Sequence, residues 1–218
     1  MITSSDSEYY STKQIKQRKA KLEPVFAELA SWIAAKWQVS VLNIVYDPAN
    51  ELHEPRLQVI VEQREDEIIF RDGLNFDAFK LHEIVLRFSE IVTRQKNTDF
   101  ELKNLFVVFS AFAPLAIEEL VGTLTKKRID HLMAQIANPE LWTINQCLGN
   151  VTFFFYTEDQ MHKYDRQGFK KIYSQFCLAL LKPYDEFGYL NENVFSVNFD
   201  SKKNFDKKYS GNWFNYYR

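Results

Sequence analysis

Two segments of this sequence are apolar on consecutive positions, and they constrain the fold more than any other feature. They read LFVVF at 105–109 and VTFFFYT at 151–157. Neighbouring side chains of a β-strand point to opposite faces, so a strand of this kind has to be covered on both faces. We therefore expect each of these strands inside a sheet, with other parts of the chain packed on both sides.

The rest of the chain alternates between helix-like and strand-like patterns. Apolar residues recurring at three- and four-residue steps predict helices over about 23–37, 76–95, 114–136 and 169–181. β-branched or alternating stretches predict further strands at 39–47, 56–63, 67–73 and 194–200, the first three as an antiparallel meander. This order indicates an α+β fold, a mixed α/β sandwich with one central, mostly antiparallel or mixed sheet of about five to six strands packed with helices.

The length of 218 residues allows one large domain. Residues 1–12 are polar and are predicted to form a flexible N-terminal tail. Residues 13–218 are then expected to form one globular domain, with 138–150 as the best candidate for a weak internal seam. We find no internal repeat at a fixed period. The last two predicted strands end in the similar segments YTED, at 156–159, and NFDS, at 198–201, but this similarity is too short to indicate duplication.

Composition and motifs exclude several function classes. Lys and Arg total 27 against 29 Asp and Glu, and this net charge of −2 disfavours a nucleic-acid binder. The sequence has six glycines and lacks a P-loop, a G-x-G and a G-x-S-x-G, so we expect no cofactor. The four histidines lie far apart and none forms an i, i+4 pair, so no metal site is predicted.

The compartment is inferred from the cysteines and from the absence of targeting signals. Cys147 and Cys177 stand thirty residues apart and do not form a disulfide framework. No basic region followed by an apolar run opens the sequence, and the longest apolar stretch is too short for a membrane span. These features predict a cytoplasmic protein without a membrane partner.

An acidic cluster with one histidine carries the enzyme hypothesis. It follows the buried strand at 151–157, and strand ends of α/β sheets commonly carry functional groups. A carboxylate and an imidazole there could act as orienter and general base of a hydrolase. The alternative is that the acids occupy the first turn of a helix, which the helix dipole favours. The candidate catalytic residues are Glu158, Asp159, His162, Asp165 and Asp185.

The segment NFDKKYSGNWFNYYR, at 204–218, is rich in rings and basic residues. Such residues can bind single-stranded RNA, since bases stack on rings and phosphates meet lysines. The alternative is that the rings cover the sheet while the lysines face water. Binding of a protein partner is a third reading. The candidate binding residues are Lys203, Lys207, Tyr209, Trp213 and Tyr216.

The leading interpretation is a non-catalytic cytoplasmic module that binds a ligand or a protein partner. A hydrolase using the cluster at 158–165 with Asp185, and a weak RNA binder using the aromatic segment, are the alternatives. The sequence assigns neither a ligand nor an oligomeric state.

Overall fold

The chain forms two compact units, Met1–Leu115 and Ala116–Arg218, in a computed structural model that describes residues 2–50 and 53–218. Each unit has its own hydrophobic core. The boundary falls inside a helix, whereas the sequence placed its candidate seam at 138–150, where the second unit has its first two strands. The expectation of a single domain over 13–218 stays a prediction.

The first unit contains one three-stranded sheet and one small hairpin. The elements are α1 (Ser7–Lys16), α2 (Pro24–Trp37), β1 (Val41–Asp47), β2 (Arg56–Val61), α3 (Arg64–Ile68), β3 (Arg71–Asp72), β4 (Asn75–Phe76), α4 (Ala78–Gln95), β5 (Phe106–Ala111) and the start of α5 (Phe112–Gly122), the helix that contains the boundary. Strand β2 pairs antiparallel with β1 and parallel with β5, so the strand order is β1-β2-β5, and β3 pairs with β4.

The second unit repeats this arrangement. Its elements are α6 (Lys126–Ile136), β6 (Leu141–Cys147), β7 (Asn150–Phe155), α7 (Glu158–Arg166), α8 (Phe169–Leu181), a 3-10 turn (Lys182–Tyr184), β8 (Val197–Ser201), α9 (Lys202–Tyr209) and α10 (Trp213–Tyr216). Strand β7 pairs antiparallel with β6 and parallel with β8, giving the order β6-β7-β8.

The two sheets also share their register. Each antiparallel ladder is interrupted after its first pair by one extra residue in the edge strand, Leu42 or Trp142. Counted from this bulge, the rungs of one sheet correspond to those of the other. Corresponding positions include Val41 and Leu141, Val61 and Phe155, and Ala111 and Ser201. The sequence separation between corresponding residues is therefore 100 in the first strand of each sheet, 94 in the central strand and 90 in the third strand. Because this separation changes from strand to strand, a search at a fixed period cannot detect the repeat.

The connections that follow the central strands match as well. Two residues after β2 and after β7, Gln63 and Thr157 begin the next helix with a capping box, in which Asp66 and Gln160 bond back to the cap. In both units the third strand runs directly into a helix. The structure therefore contains one supersecondary unit twice.

One face of each sheet carries the main hydrophobic core. We call it the first face. In the first unit Leu57, Val59 and Val61 of β2 pack there with residues of α2 and α4. In the second unit Phe153 and Phe155 of β7 pack with residues of α6 and α8. These aliphatic and aromatic side chains are fully buried, each contributing roughly 1.5–3 kcal/mol to folding.

The α+β class is confirmed, but the single sheet of five to six strands is wrong. The described residues form sheets of three, two and three strands, because each unit closes its own sheet around one central strand. The third strand expected at 67–73 is mostly the end of α3 and a turn, with only Arg71 and Asp72 in a strand. Residues 7–12, expected in a flexible tail, lie in α1, where Tyr9 is buried.

The tight turn between β6 and β7 yields a stability prediction. Cys147 pairs with Asn150, and the two loop residues, Leu148 and Gly149, have φ of 46° and 78°. Because alanine is strained at positive φ, Gly149→Ala should lower the free energy of unfolding by about 1 kcal/mol, measured by urea denaturation. Gly122→Ala, in a helix with nothing within 4 Å of a new methyl group, is the control and should not lower it.

Candidate functional site

The second face of each sheet is the one opposite the main core, and the two units cover it differently. In the second unit the cover is the aromatic segment, residues 204–218. The Trp213 ring stacks on Trp142 at a centroid distance of 6.1 Å and meets the edge of Phe154 at 5.1 Å. Phe205 lies 4.1 Å from Trp213, and both Phe154 and Phe205 are buried. These rings close the second face of β6 and β7.

Two tyrosine hydroxyls meet polar side chains beneath this cover. The Tyr216 hydroxyl donates to Asp200 Oδ2 at 2.7 Å, and the Tyr217 hydroxyl donates to Asn145 Oδ1 at 2.9 Å. Burial raises the pKa of Tyr217 to about 12, and burial together with the neighbouring Asp200 carboxylate raises the pKa of Tyr216 further. Both phenols therefore stay protonated and act as donors at neutral pH.

In the first unit helix α1 covers only part of the second face. Asn43 of β1 donates to Thr12 Oγ1 at 3.0 Å and to Ser11 Oγ at 3.2 Å. Tyr9 stacks on Phe112 at 5.2 Å. These contacts hold α1 over the β1 edge. Beside it, next to Gln58 on β2, the second face forms the floor of an open cleft.

The cleft has a volume of about 360 Å³ and lies entirely within the first unit. Its wall is mostly apolar, with three charged side chains and two uncharged polar ones. The lining residues are Ile2, Gln58, Arg64, Glu67, Arg71, Phe76, Val108, Phe109, Ser110, Ala111, Pro114 and Leu115. A concave, largely apolar site with few polar groups is the usual form of a small-molecule site.

Gln58 is the unusual residue of this lining. Its side chain is 1% exposed, and its Nε2 donates to Ser110 Oγ at 3.0 Å. The amide oxygen Oε1 is buried and accepts no hydrogen bond. Such an orphan costs about 1–3 kcal/mol, and natural proteins rarely leave one without a purpose. Because Oε1 has almost no solvent-accessible surface, this unsatisfied oxygen lies beneath the cleft wall.

The charges of the cleft leave one cation free. Arg71 donates to Glu67 Oε1 through Nε at 2.9 Å and also through Nη2, and its guanidinium lies 4.6 Å from the Phe76 ring. Within the described part of the chain, Arg64 has no ion pair and no side-chain hydrogen bond. The lining thus carries a net charge of +1, which favours an anionic ligand.

The predicted catalytic residues do not converge on one point. Glu158 and Asp159 occupy the first turn of α7, where Thr157 caps the helix, and Glu158 lies 3.6 Å from Lys203 Nζ. Asp165 pairs with Lys170 at 3.1 Å. The exposed His162 ring has no hydrogen-bond or ion-pair partner among residues 2–50 and 53–218.

Asp185 is buried and stabilises the loop that contains it. Its side chain is 4% exposed and accepts the backbone N–H groups of Tyr189 and Leu190 at 3.1 and 3.0 Å. Lys182 Nζ lies 3.1 Å from Asp185 Oδ2. These contacts fix the loop between α8 and β8, far in sequence from the 158–165 cluster.

The predicted binding residues divide between cover and solvent. Trp213 and Tyr216 face the sheet, and Tyr209 packs on Tyr216 at 4.8 Å. Lys203 and Lys207 are exposed on α9. Of these five residues, the two rings that face the sheet, Trp213 and Tyr216, are therefore not available to stack on RNA bases, which needs exposed rings beside the cations.

Comparisons with family models, curated proteins and solved structures give no significant match to this chain. No cluster of three or more metal-ligating side chains is found in the described ranges, 2–50 and 53–218. Over the same residues, every helix is too short or too polar to cross a membrane. The site is thus characterised by its own geometry alone.

The role of the aromatic cover can be tested with two neighbouring substitutions. Trp213→Ala should lower the free energy of unfolding by about 2–4 kcal/mol, because it removes the ring that covers Phe154 and Trp142. Phe214→Ala is the control, since Phe214 is 72% exposed, and should change it by less than about 0.5 kcal/mol. Chemical denaturation measures both; equal effects would contradict the assignment.

Proposed function

We propose that this chain is a non-catalytic binding protein that holds a small organic anion in the cleft of its first unit. The observation that carries the proposal is a mostly apolar cleft whose lining contains Arg64, a cation without an ion pair among residues 2–50 and 53–218. A ligand with an apolar body and an anionic group matches both features.

The size and wall of the cleft support a small molecule. Its volume of about 360 Å³ falls at the lower end of the range typical of ligand pockets, roughly 300–1,000 Å³. Apolar side chains such as Val108, Pro114 and Leu115 would supply most of the contact area, and the few polar groups would orient the ligand.

The chemistry of the lining supports binding without catalysis. General acid–base catalysis requires a titratable group free to exchange a proton with the substrate. Among the lining residues the one carboxylate, Glu67, is bonded to Arg71, and the hydroxyl of Ser110 meets the Gln58 amide and no base. Arginine stays protonated at physiological pH.

We also propose that the protein works in the cytoplasm and needs no cofactor. Both cysteines are free thiols, as a reducing compartment requires. Burial raises the pKa of Cys177 to about 12, so this thiol stays protonated and does not act as a nucleophile.

The cleft can be tested with benzoate as a probe anion. Wild-type protein should bind benzoate with a Kd in the millimolar range, and Arg64→Gln should weaken binding roughly tenfold because the carboxylate loses its cation. Chemical-shift titration measures both affinities. Arg18→Gln removes an exposed arginine outside the cleft and should leave the affinity unchanged. An unaltered affinity in Arg64→Gln would contradict the proposal.

A protein partner is a second candidate function, favoured by an exposed apolar surface on the first unit. Leu74, Phe79 and Ile68 are 95%, 88% and 55% exposed. Their backbone is held in place, since Lys80 Nζ donates to Ile69 O at 2.6 Å and the Asp77 N–H donates to Phe70 O at 2.8 Å. Several ordered and exposed large apolar side chains on one short segment are typical of binding surfaces.

Charge defines the partner that this surface would accept. Residues 64–83 contain six acidic and three basic side chains, a net charge of −3. We therefore propose a protein partner with an apolar pocket rimmed by basic residues.

Co-purification of a protein with this chain does not by itself support the partner proposal, so the test compares variants. A true partner co-purified with the wild type should be lost from the double variant Leu74→Ser/Phe79→Ser, and raising salt should weaken its binding because the charges are screened. Leu148→Ser, at a 70% exposed position of the second unit, is the control and should retain it. Retention by the double variant would rule out this surface.

A further inference from the structure

The aromatic segment has an outer side, which faces away from the sheet. Trp213 and Tyr216 pack on Phe154, whereas the ring of Phe214, which lies between them in the sequence, is 72% exposed. The backbone of Phe214 is held in place, because its N–H donates to Asn212 Oδ1 at 2.8 Å at the start of α10. The segment therefore presents one large ring to solvent that does not serve to cover the sheet.

Cations without an ion pair accompany this ring. The Arg218 guanidinium lies 5.9 Å from the centroid of the Phe214 ring. Lys207 and Lys208 are exposed in the last turn of α9, shortly before Phe214 in the chain. None of these three cations has an ion pair with another residue of 2–50 or 53–218. The outer side of the segment thus combines an open ring with charges that have no internal partner.

The geometry of α9 places Lys207 on the same outer side as Phe214. Phe205 is 3% exposed and faces the sheet, and a helical residue two positions later points nearly the opposite way. Helix α10 follows α9 closely, since the Asn212 N–H donates to the Tyr209 carbonyl oxygen at 3.1 Å. Lys207 and Phe214 therefore both point away from the sheet within one short stretch of chain.

The charge of this region is opposite to that of the whole chain. Residues 202–218 contain five basic side chains and one acidic one, a local net charge of +4, while the whole chain carries −2. The acid, Asp206, is paired with Lys202. Net charge determines the field at long range, whereas affinity for a polyanion depends on the cations that contact its phosphates. The overall charge is therefore compatible with a polyanion bound at this surface alone.

We propose that the outer side of residues 202–218 binds single-stranded nucleic acid. A base stacks on Phe214, and the phosphates beside it pair with Lys207, Lys208 and Arg218. Sequence-independent binding of a single strand uses an exposed ring next to free cations, whereas the bases of a duplex are already stacked on one another. A membrane surface requires a larger apolar face than one ring. The cleft of the first unit takes no part in this binding.

Fluorescence anisotropy with labelled ten-nucleotide probes measures the binding to the full chain. Oligo(U) and oligo(dT) should bind with a Kd of about 10–100 μM, and a duplex of the same length should bind about tenfold more weakly. The comparison of oligo(U) with oligo(dT) distinguishes RNA from DNA as the nucleic acid that the surface prefers.

Two variants separate the ring from the charges. Phe214→Ala should weaken single-strand binding roughly tenfold and leave its salt dependence unchanged, because only the stacking partner is lost. Lys207→Gln/Lys208→Gln should weaken binding and reduce the slope of log Kd against log salt by about 1.4, because two phosphate contacts are lost. Lys126→Gln/Lys127→Gln makes the same charge change at exposed positions of α6 and should alter neither quantity.

Several results would overturn the proposal. If neither single strand binds at protein concentrations up to ~1 mM, the surface is not a nucleic-acid site. If Phe214→Ala binds like the wild type, or the duplex binds equally well, the contact is to phosphate alone. Equal losses in the two lysine pairs would mean that only the total charge matters. Phe214-dependent binding to phosphatidylserine vesicles without binding to oligonucleotides would assign the surface to a membrane instead. Because Phe214 is exposed, urea denaturation of Phe214→Ala should confirm that its stability is unchanged.

Discussion

Burial of the central strand on both faces is the constraint on which each unit depends. Every residue of β2 from Leu57 to Val61 is at most 1% exposed, and β7 from Val151 to Phe155 is at most 3% exposed. Such a strand needs a helical layer on the first face and a second cover on the other. The helices supply the first layer in the same way in both units. The second cover is α1 in one unit and the aromatic segment in the other.

Much of the fold follows from local patterns that a reader of the sequence can see. The consecutive apolar positions around Val107 and Phe154 identify buried strands, and helix α8 has the predicted bounds. Strand β6 was missed because LWTINQC has no clean alternation of polar and apolar residues, so its region looked like a seam. The repeat was missed because the sequence offset changes from strand to strand. Among the corresponding strand positions, only the pairs Ile44 and Ile144, Val107 and Val197, and Phe109 and Phe199 are identical.

The candidate site was harder to predict than the fold, because its parts meet only through a long-range pairing. Gln58 and Ser110 are 52 residues apart and become neighbours when β5 joins β2 in parallel. In the sequence, Gln58 reads as an ordinary polar position and Arg64 as a charged turn residue. The conspicuous cluster at 158–165, by contrast, has a local explanation, since acids in the first turn of α7 interact favourably with its dipole. Proximity in sequence therefore identified a helix start and missed the cleft.

The position of the two covers along the chain has a consequence for synthesis. Helix α1 leaves the ribosome before the strands that it covers, so the first sheet meets its second layer as soon as it assembles. The second sheet has to wait, because Phe154 is made about 60 residues before Trp213, a delay of roughly 3–12 s at ordinary elongation rates. During that interval one side of the nascent sheet leaves the Phe154 ring uncovered, so this half of the chain is the more exposed to aggregation while it is being translated.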